Sequence, residues 1–513
     1  METMIISVLT LVTLVLRIFR IDLMIFNLDQ IGIWFTNSRF YEQPFLITKG
    51  TYASIGIWNL PLFHYLLIPL TVISREPVAV TMVFVLLNTA ATIYFYSALK
   101  RYYSGLTILV ATVILAVSPW LVIYSRTIWQ PSMLFPLVVP VVFLLHQVIL
   151  GKNPKNTFWL FLLLSLIAQI HISGYVLILL VTGIFIMYKV RIRWGSLLLG
   201  LFIGFLWTLP YIYYQLHSSP VCPDCRNFLV YAGKPKNFDG KNITLGLQIV
   251  NGNGFDFFLG DNLTPFMASI RAKEVSSVIF WGGNFLVLSG FYQILRHLKR
   301  YRFLIIVSVA YPVFYFLTRT KFYMHYYVLS APFIALIMGI GFTGLLKKIQ
   351  PVRWKMLLSA VVSGIFIFQV IFIFGLYKYI EKTVKISTNY GIIYSVLEDF
   401  SRMYLSDYRS RKDYTTLRYI TYMNLYFDSS RTHENIARYF IENDSYELAI
   451  GELEKLSAVY SGDDSYHATL GLLYAKTGSL ASASGQFSMI TDKTSTAAAK
   501  LQDLIRDSGN LRY

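Results

Sequence analysis

The succession of apolar runs along the chain limits its fold more than any other feature. A helix needs about 20 apolar residues to cross the hydrocarbon core of a bilayer. Eleven runs reach or approach this length, near residues 2–20, 79–98, 106–124, 131–150, 157–172, 174–188, 195–214, 276–295, 302–318, 324–345 and 356–377. Only 14% of the residues are charged, well below the ~25% of soluble domains. The sequence therefore predicts an all-α, polytopic membrane protein with 11 transmembrane helices.

Lys and Arg are concentrated in short segments between these runs, and cytoplasmic loops carry such an excess of basic residues. We therefore assign to the cytoplasm the segments 99–103, 151–156, 189–194, 296–302 and 347–355. The extracytoplasmic side then receives the segments 125–130, 171–174, 215–275 and 319–325 and the chain after Tyr377. This placement accounts for the net charge of +18 without a nucleic-acid partner. It predicts a multi-pass protein of the plasma (inner) membrane, in contact with membrane lipids.

One further apolar segment, 60–74, does not fit this orientation as a membrane span. If it crossed, the N-terminus would have to lie outside, or the pattern of basic loops would invert downstream. The segment is short, contains two prolines and is polar at both ends. We predict a helix lying in the outer interface, with a short crossing helix and an external N-terminus as the alternative.

A polar segment, 17–65, separates the first apolar run from the next and is predicted to lie largely outside. It places charged residues among Trp and Tyr, which is typical of a water-facing site at a membrane surface; these residues are Asp22, Asp29, Arg39, Glu42, Lys49 and His64. Four other motifs belong to the same predicted face: NLPLFHY at 59–65, SPWLVIYSRTIWQP at 118–131, QIH at 169–171 and KFYMHYYVLSAP at 321–332.

In their order and spacing, these motifs resemble the GT-C glycosyltransferases of the dolichyl-phosphate-mannose–protein mannosyltransferase (family 39) and aminoarabinose-transferase type. The resemblance covers residues 10–340. It implies transfer of a sugar from a polyprenyl-phosphate carrier to a protein, lipid or glycan acceptor on the extracytoplasmic face. It also implies that the Asp of the first external loop (21–59), here Asp29, is the general base.

The chain departs from the family pattern at three places. Gln30 stands where the family usually has Glu, and Asn59-Leu60-Pro61 replaces His-Pro-Pro. Pro131 occupies the place at which many relatives carry a second acidic residue. These departures disfavour a mechanism that needs two carboxylates around a metal. We therefore predict no cofactor and no metal ligands, and keep a divalent metal as the alternative.

The chemistry needs a base for the acceptor hydroxyl and positive groups or N–H donors for the phosphate leaving group. Asp29 is the predicted base. Arg126 is the first choice for the phosphate, because an Arg at the end of an apolar helix is costly without an anionic partner. The other candidates for the donor phosphate and sugar are Lys49, His64, His171, Arg319, Lys321 and His325.

Each candidate also has a structural alternative. Asp29 suits the N-cap of a helix, Arg126 could extend to lipid headgroups, and the histidines could be core residues. Two other classes of function remain open. A transporter or flippase of envelope lipids needs ionisable residues within its spans, whereas the charges here lie at the outer ends. A membrane-anchored scaffold leaves the polar first loop unexplained.

The external segment 215–275 contains both cysteines of the chain, as Cys222-Pro-Asp-Cys225. Segments of this length are usually functional or disordered. No second Cys pair exists to complete a zinc site, so we predict a local disulfide.

After Tyr377 the composition becomes charged and soluble, which predicts two domains, 1–377 and 378–513. Residues 436–456 align with 470–490 at a period of 34, as in tetratricopeptide (TPR) repeats. A helix at 494–509 would cap the stack, and the helices at 388–426 would form a degenerate or junctional unit. We predict a TPR-like domain that binds a protein partner.

Overall fold

The computed structural model describes residues 2–233, 240–271, 273–320, 323–383, 385–386, 390–404, 418–419, 421–422, 433–434, 437–438, 440–441, 444, 446–457 and 459–510. The chain forms two compact units, Met1–Tyr394 and Ser395–Tyr513. The predicted boundary at Tyr377 followed the end of the last apolar run. Packing of the first unit continues beyond it, through a short antiparallel ribbon of β1 (Lys385–Ile386) and β2 (Gly391–Ile392).

The first unit is a stack of helices, and its regular elements follow the apolar runs of the sequence. They are α1 (Glu2–Ile18), α2 (Leu28–Glu42), α3 (Leu62–Ile73), α4 (Pro77–Leu99), α5 (Gly105–Val117), α6 (Pro119–Tyr124), α7 (Gln130–Ile149), α8 (Thr157–Ile170), α9 (Ser173–Met187), α10 (Trp194–Phe205), α11 (Leu209–His217), α12 (Pro223–Gly233), α13 (Lys241–Asn251), α14 (Asp256–Leu259), α15 (Leu263–Ser269), α16 (Lys273–Arg296), α17 (Leu298–Leu317), α18 (Ala331–Lys348) and α19 (Val352–Glu381). A further helix, α20 (Tyr394–Tyr404), begins at the unit boundary.

Within the described residues, six helices are long and apolar enough to cross a membrane: Pro77–Leu99, Gln130–Ile149, Trp194–His217, Leu298–Leu317, Ala331–Lys348 and Val352–Glu381. Shorter apolar helices cover Leu62–Ile73, Gly105–Val117, Pro154–Ile170 and Ser173–Met187. The predicted all-α membrane fold is confirmed. The number of 11 crossings stays a prediction.

The structure adds detail to two predicted segments, 60–74 and 215–275. The 12 residues of α3 extend over about 18 Å, less than the ~30 Å of a bilayer core, which suits the predicted interfacial position without testing it. The predicted external loop 215–275 contains the helices α12 to α15, and its cysteines, Cys222 and Cys225, form the predicted disulfide.

Glycines allow the closest helix crossings of the first unit. A Cβ at Gly290 of α16 would collide with the carbonyl of Ile337 in α18, and one at Gly341 of α18 would collide with that of Leu286. A Cβ at Gly339 of α18 would likewise meet the carbonyl of Thr107 in α5. Small residues are the usual means of close packing between membrane helices. They fix α18 between α5 and α16.

The second unit contains α21 (Tyr446–Glu454), α22 (Asp464–Lys476), α23 (Leu480–Met489) and α24 (Thr496–Asn510). The last three share a core of small and aliphatic residues: Ala468, Ala475, Ala483, Ile490, Ala498 and Leu501. The predicted terminal helix at 494–509 is thus present as α24. Much of the predicted unit at 388–426 and part of the first repeat, including Ile436, lie outside the described residues, so the TPR class stays a prediction.

Candidate functional site

Asp29 lies in the first turn of α2, but it is not the residue that caps the helix. Asn27 is the N-cap: its side chain accepts a hydrogen bond from the Asp29 backbone N–H at 3.1 Å, and Gln30 Oε1 accepts one from the Asn27 N–H at 3.1 Å. The Asn27 side chain also accepts from the Gln30 backbone N–H, and the two reciprocal bonds between Asn27 and Gln30 form a capping box. Among the described residues, none donates a hydrogen bond or ion pair to the Asp29 carboxylate. The carboxylate is therefore available for chemistry.

A hairpin over residues 50–59 forms a wall beside Asp29. Gly50 N–H donates to the Asn59 carbonyl at 2.7 Å, and Asn59 N–H donates to the Thr51 carbonyl at 2.8 Å. The turn uses Gly56 in the left-handed region (φ 83°), where a Cβ would lie 3.3 Å from the carbonyl oxygen of Asn227 in α12. The hairpin thus presents Thr51 and its neighbours to the interior while its turn touches α12.

Two cavities adjoin at Asp29, because Asp29, Thr51 and Tyr52 line both of them. The first has a volume of about 570 Å³. Its polar lining comes from distant parts of the chain and includes Asn27, Asp29, Thr51, Asn59, Gln130, His171, Arg226, Asn227 and His325. Aromatic side chains, among them Trp129, Tyr231 and Tyr326, complete the walls. Such a mixture of hydrogen-bonding groups and aromatic faces suits a polar ligand.

The second cavity has a volume of about 420 Å³ and differs in character. Among the described residues, its basic lining consists of Lys49 and His64. Its other walls include the apolar side chains of Leu28, Ile33, Phe45, Leu46 and Ile47. The Lys49 Nζ lies 4.1 Å from the ring centroid of Trp58 and 4.8 Å from that of Tyr214. A cation next to an apolar wall suits an amphipathic anion.

The surroundings of Asp29 raise its pKa. The side chain is exposed within the concave wall that joins the two cavities, and the protein around it displaces part of the bulk water that would stabilise its charge. Partial desolvation disfavours the ionised form and moves the pKa above the ordinary value of 3.8. A carboxylate with a raised pKa accepts a proton more readily.

His171 and His325 meet on the wall of the first cavity, with ring centroids 5.3 Å apart. His171 Nδ1 accepts a hydrogen bond from the Ser173 backbone N–H at 3.2 Å, so a neutral ring carries its proton on Nε2. His325 packs against Trp129, at 4.6 Å between centroids, and its Nδ1 has no hydrogen-bond partner in the described structure. The two predicted histidines therefore belong to one cluster.

His64 and Lys49, also predicted, belong to the second cavity. His64 is buried, and its Nδ1 is 2.8 Å from Asn37 Nδ2. Since Asn37 Nδ2 can only donate, His64 Nδ1 accepts and the proton of the neutral ring is again on Nε2.

Arg126 lines neither cavity. It is 3% exposed, donates to the carbonyl of Arg20 and lies 4.0 Å from the ring centroid of Tyr377 in α19. The apolar run before it, 106–124, bends at Ser118-Pro119, where α5 ends and α6 begins, and Arg126 then packs between Arg20, just after α1, and Tyr377 of α19. Its role as phosphate ligand stays a prediction, and its position agrees better with a structural role.

Of the two remaining predicted cations, only Arg319 lies within the described residues, and the structure does not bring it to the site. Arg319 follows the C-terminus of α17, is exposed and lines neither cavity. Lys321 lies outside the described residues. In the part of the chain that the structure describes, no group of three or more His, Cys, Asp or Glu side chains is arranged to hold a metal ion.

The sequence analysis missed two residues near the cavities, and both lie in or next to the Cys222–Cys225 segment. Arg226 of α12 lines the first cavity. Asp224 is buried, and its Oδ2 accepts hydrogen bonds from Trp58 N–H at 3.0 Å, Tyr211 O–H at 2.5 Å and Gln215 Nε2 at 2.9 Å. Asp224 thereby ties α12 to the hairpin. In the sequence, the local indication of these two residues was that both are charged and lie beside the cysteines.

The structure was compared with solved structures, and the similarities concern the fold. The structure is similar to ArnT from Cupriavidus metallidurans in the apo state, with a TM-score of 0.47 and 11% identity over 79% of each chain. It is also similar to the same protein bound to undecaprenyl phosphate, with a TM-score of 0.46 and 11% identity over 90% of this chain and 80% of that one. The Archaeoglobus fulgidus oligosaccharyltransferase in complex with Zn and sulfate gives 0.48 and 11%, over 81% of this chain and 57% of that one.

Both proteins are GT-C glycosyltransferases, the class that the sequence motifs resemble. No protein-family model matches the chain, and no curated sequence is similar to it. Identities of 11% concern the fold alone, and they assign neither a site nor a substrate to this chain.

Proposed function

We propose that this membrane protein is a glycosyltransferase that moves a sugar from a polyprenyl-phosphate donor to an acceptor hydroxyl, with Asp29 as general base. The observation that carries the proposal is the position of the Asp29 carboxylate. Asn27 caps α2, so the Asp29 carboxylate is not used for capping. It lies where two cavities of different character adjoin. A reaction between a lipid-linked donor and a polar acceptor needs this arrangement, with the base between the two ligands.

The donor belongs in the second cavity. The phosphate, which is anionic, pairs with Lys49, and the isoprenoid chain lies along the apolar side chains that begin at Leu28 and Phe45. Leu28, Phe45 and Leu46 are exposed there, which costs free energy in water and is relieved by a lipid chain.

The acceptor belongs in the first cavity. Its hydroxyls can pair with Asn27, Gln130 and Asn227, and the neutral rings of His171 and His325 supply further hydrogen-bonding groups. Arg226 adds one positive charge to this wall, which favours acceptors that carry an acidic group. The acceptor is a protein, lipid or glycan of the extracytoplasmic side.

The reaction is a single displacement at the anomeric carbon. The acceptor oxygen forms the new bond to that carbon while its proton passes to the Asp29 carboxylate. The bond from the anomeric carbon to the phosphate oxygen breaks, and its electron pair leaves with polyprenyl phosphate. Lys49 offsets the charge that develops on that oxygen. No redox step or further reactant is needed.

The test is incubation of the purified protein with polyprenyl-phosphate sugars in lipid nanodiscs, with free polyprenyl phosphate as the readout. We expect release from the lipid-linked donors and none of the corresponding nucleotide from nucleoside-diphosphate sugars. Intact donor under all conditions, together with movement of the lipid between leaflets of proteoliposomes, would instead make the protein a transporter. Lack of both would leave the scaffold alternative.

A further inference from the structure

A third cavity lies far from Asp29, where the C-terminus of α18 meets the N-termini of α5 and α19. Its volume is about 640 Å³. The helix α18 begins just after the segment that carries His325, and its last turn brings Lys347 to this cleft. At 1.5 Å per residue its 18 residues extend over about 27 Å. The cleft is therefore separate from the proposed transferase site.

Two lysines line the cleft and lack an acidic partner. Lys347 belongs to the last turn of α18 and Lys355 to the first turns of α19, and neither amine forms an ion pair or hydrogen bond with the described residues. No described carboxylate lines the cleft. Two cations that share a concave surface repel each other, and an anion between them offsets this repulsion. The charge pattern therefore favours an anionic ligand.

The other walls indicate what kind of anion fits. Hydroxyl groups of Ser104 and Ser359 line the cleft, and Ser104 caps the 13-residue helix α5, whose N-terminal dipole also favours negative charge. Leu106 and Met356 provide exposed apolar surface at the same cleft. A free phosphate would leave this apolar surface in water, whereas a phospholipid would cover it.

We propose that this cleft binds an anionic phospholipid, with the headgroup phosphate between Lys347 and Lys355 and the acyl chains along Leu106 and Met356. Basic pockets between membrane helices bind such headgroups by charge and hydrogen bonding. By the distribution of basic loops, this end of the helices faces the cytoplasm. The lipid would lie against all three helices at this end of the bundle.

The test is titration of the full-length protein in detergent with short-chain phosphatidylglycerol, followed by native mass spectrometry. The double variant Lys347→Gln/Lys355→Gln should bind the first lipid roughly 30-fold more weakly, at about tenfold per 1.4 kcal/mol and about 1 kcal/mol per lysine. The matched control Lys348→Gln/Arg353→Gln removes the same charge from the same two helices at positions that do not line the cleft. It should change binding less than about threefold.

A second pair of variants leaves the charge unchanged. Ser359→Phe places a ring in the cleft and should abolish the first binding event, whereas Ser363→Phe, one turn further along α19 and outside the lining, should not. Equal weakening by both double variants, or equal binding of phosphatidylcholine, would overturn the proposal. So would displacement of the lipid by millimolar inorganic phosphate, because free phosphate would then be the ligand.

Discussion

Asp29 is available for catalysis because its neighbours perform the structural work at the start of α2. Asn27 and Gln30 satisfy each other's backbone groups as a capping box, so the Asp29 carboxylate is left without a structural partner in the described residues. The capping-box motif Asn27-x-x-Gln30 can be recognised in the sequence alone. It predicts Asn27 as the N-cap and so argues against the alternative in which Asp29 caps the helix.

The raised pKa of Asp29 predicts the pH dependence of the reaction. Only the ionised carboxylate can accept the acceptor proton, so the rate falls as the pH falls through this pKa. Because desolvation raises the pKa, the acidic limb of a pH–rate profile should lie above the range of an ordinary Asp. Measurement of kcat/KM between pH 4 and 8, with donor ionisation checked separately, locates that limb. A rate that stays constant down to the ordinary Asp range would contradict the proposed role.

The same pKa predicts an effect on stability. A carboxyl whose folded-state pKa is raised lowers stability once the pH exceeds its unfolded-state pKa, and this loss is relieved as the pH falls. Asp29→Asn removes the charge, so its Tm at pH 7 should equal or exceed that of the wild type. A fluorescence melting curve in detergent provides the measurement. A clearly lower Tm would show that the charge of Asp29 stabilises the fold.

At the scale of elements, the helix α12 and the hairpin 50–59 form one assembly through Asp224. The sequence predicted the disulfide next to it but not this tie, because Trp58 belongs to the hairpin whereas Tyr211 and Gln215 belong to α11, and the sequence does not show that these two segments meet at Asp224. The bend in the run 106–124 was easier to predict from the sequence. The residue before a proline disfavours the helical conformation, and the helix is interrupted at Ser118-Pro119, ahead of the buried Arg126.

Asp224→Ala should loosen this assembly. Three donors lose their acceptor, and a buried donor without a partner costs about 1–3 kcal/mol. We expect faster limited proteolysis between residues 215 and 233 and a weaker affinity for the acceptor, since α12 carries Arg226 on the cavity wall. Asp224→Asn, which keeps one carbonyl oxygen, should be affected less. If both variants resist protease like the wild type, Asp224 does not hold the segment.

At the scale of the whole molecule, the membrane unit and the second unit are separate compact units, and the change in composition after Tyr377 predicted a division of this kind. The helices of the membrane unit were predictable because hydrophobic length is a local property of the sequence. The meeting of Asp29 with His171, Arg226 and His325 around one cavity was not, because it depends on how distant helices pack. The resemblance to a family supplied the candidates, and the fold sorted them into those that line a cavity and those that do not.

Deletion of residues 430–513 tests the predicted role of the second unit. The proposed reacting groups all belong to the first unit, so release of polyprenyl phosphate with a small soluble acceptor should stay near the wild-type rate. Transfer to the natural acceptor should fall, because stacked helix pairs form surfaces that bind proteins. Loss of donor binding, with the membrane unit still folded by size-exclusion chromatography, would show that the repeats help to build the site.

The most direct measurement of the central claim is the initial rate of polyprenyl phosphate release by wild type, Asp29→Asn and Asp22→Asn under identical conditions. Asp22 is the matched control: it lies between α1 and α2, close to Asp29 in the sequence, but its carboxylate is paired with Arg20 at 2.8 Å and lines neither cavity. Removal of a general base lowers the rate by about 10²–10⁴-fold. We therefore predict such a loss for Asp29→Asn and a rate near that of the wild type for Asp22→Asn. Turnover by Asp29→Asn at the wild-type rate would contradict the assignment of Asp29 as the base.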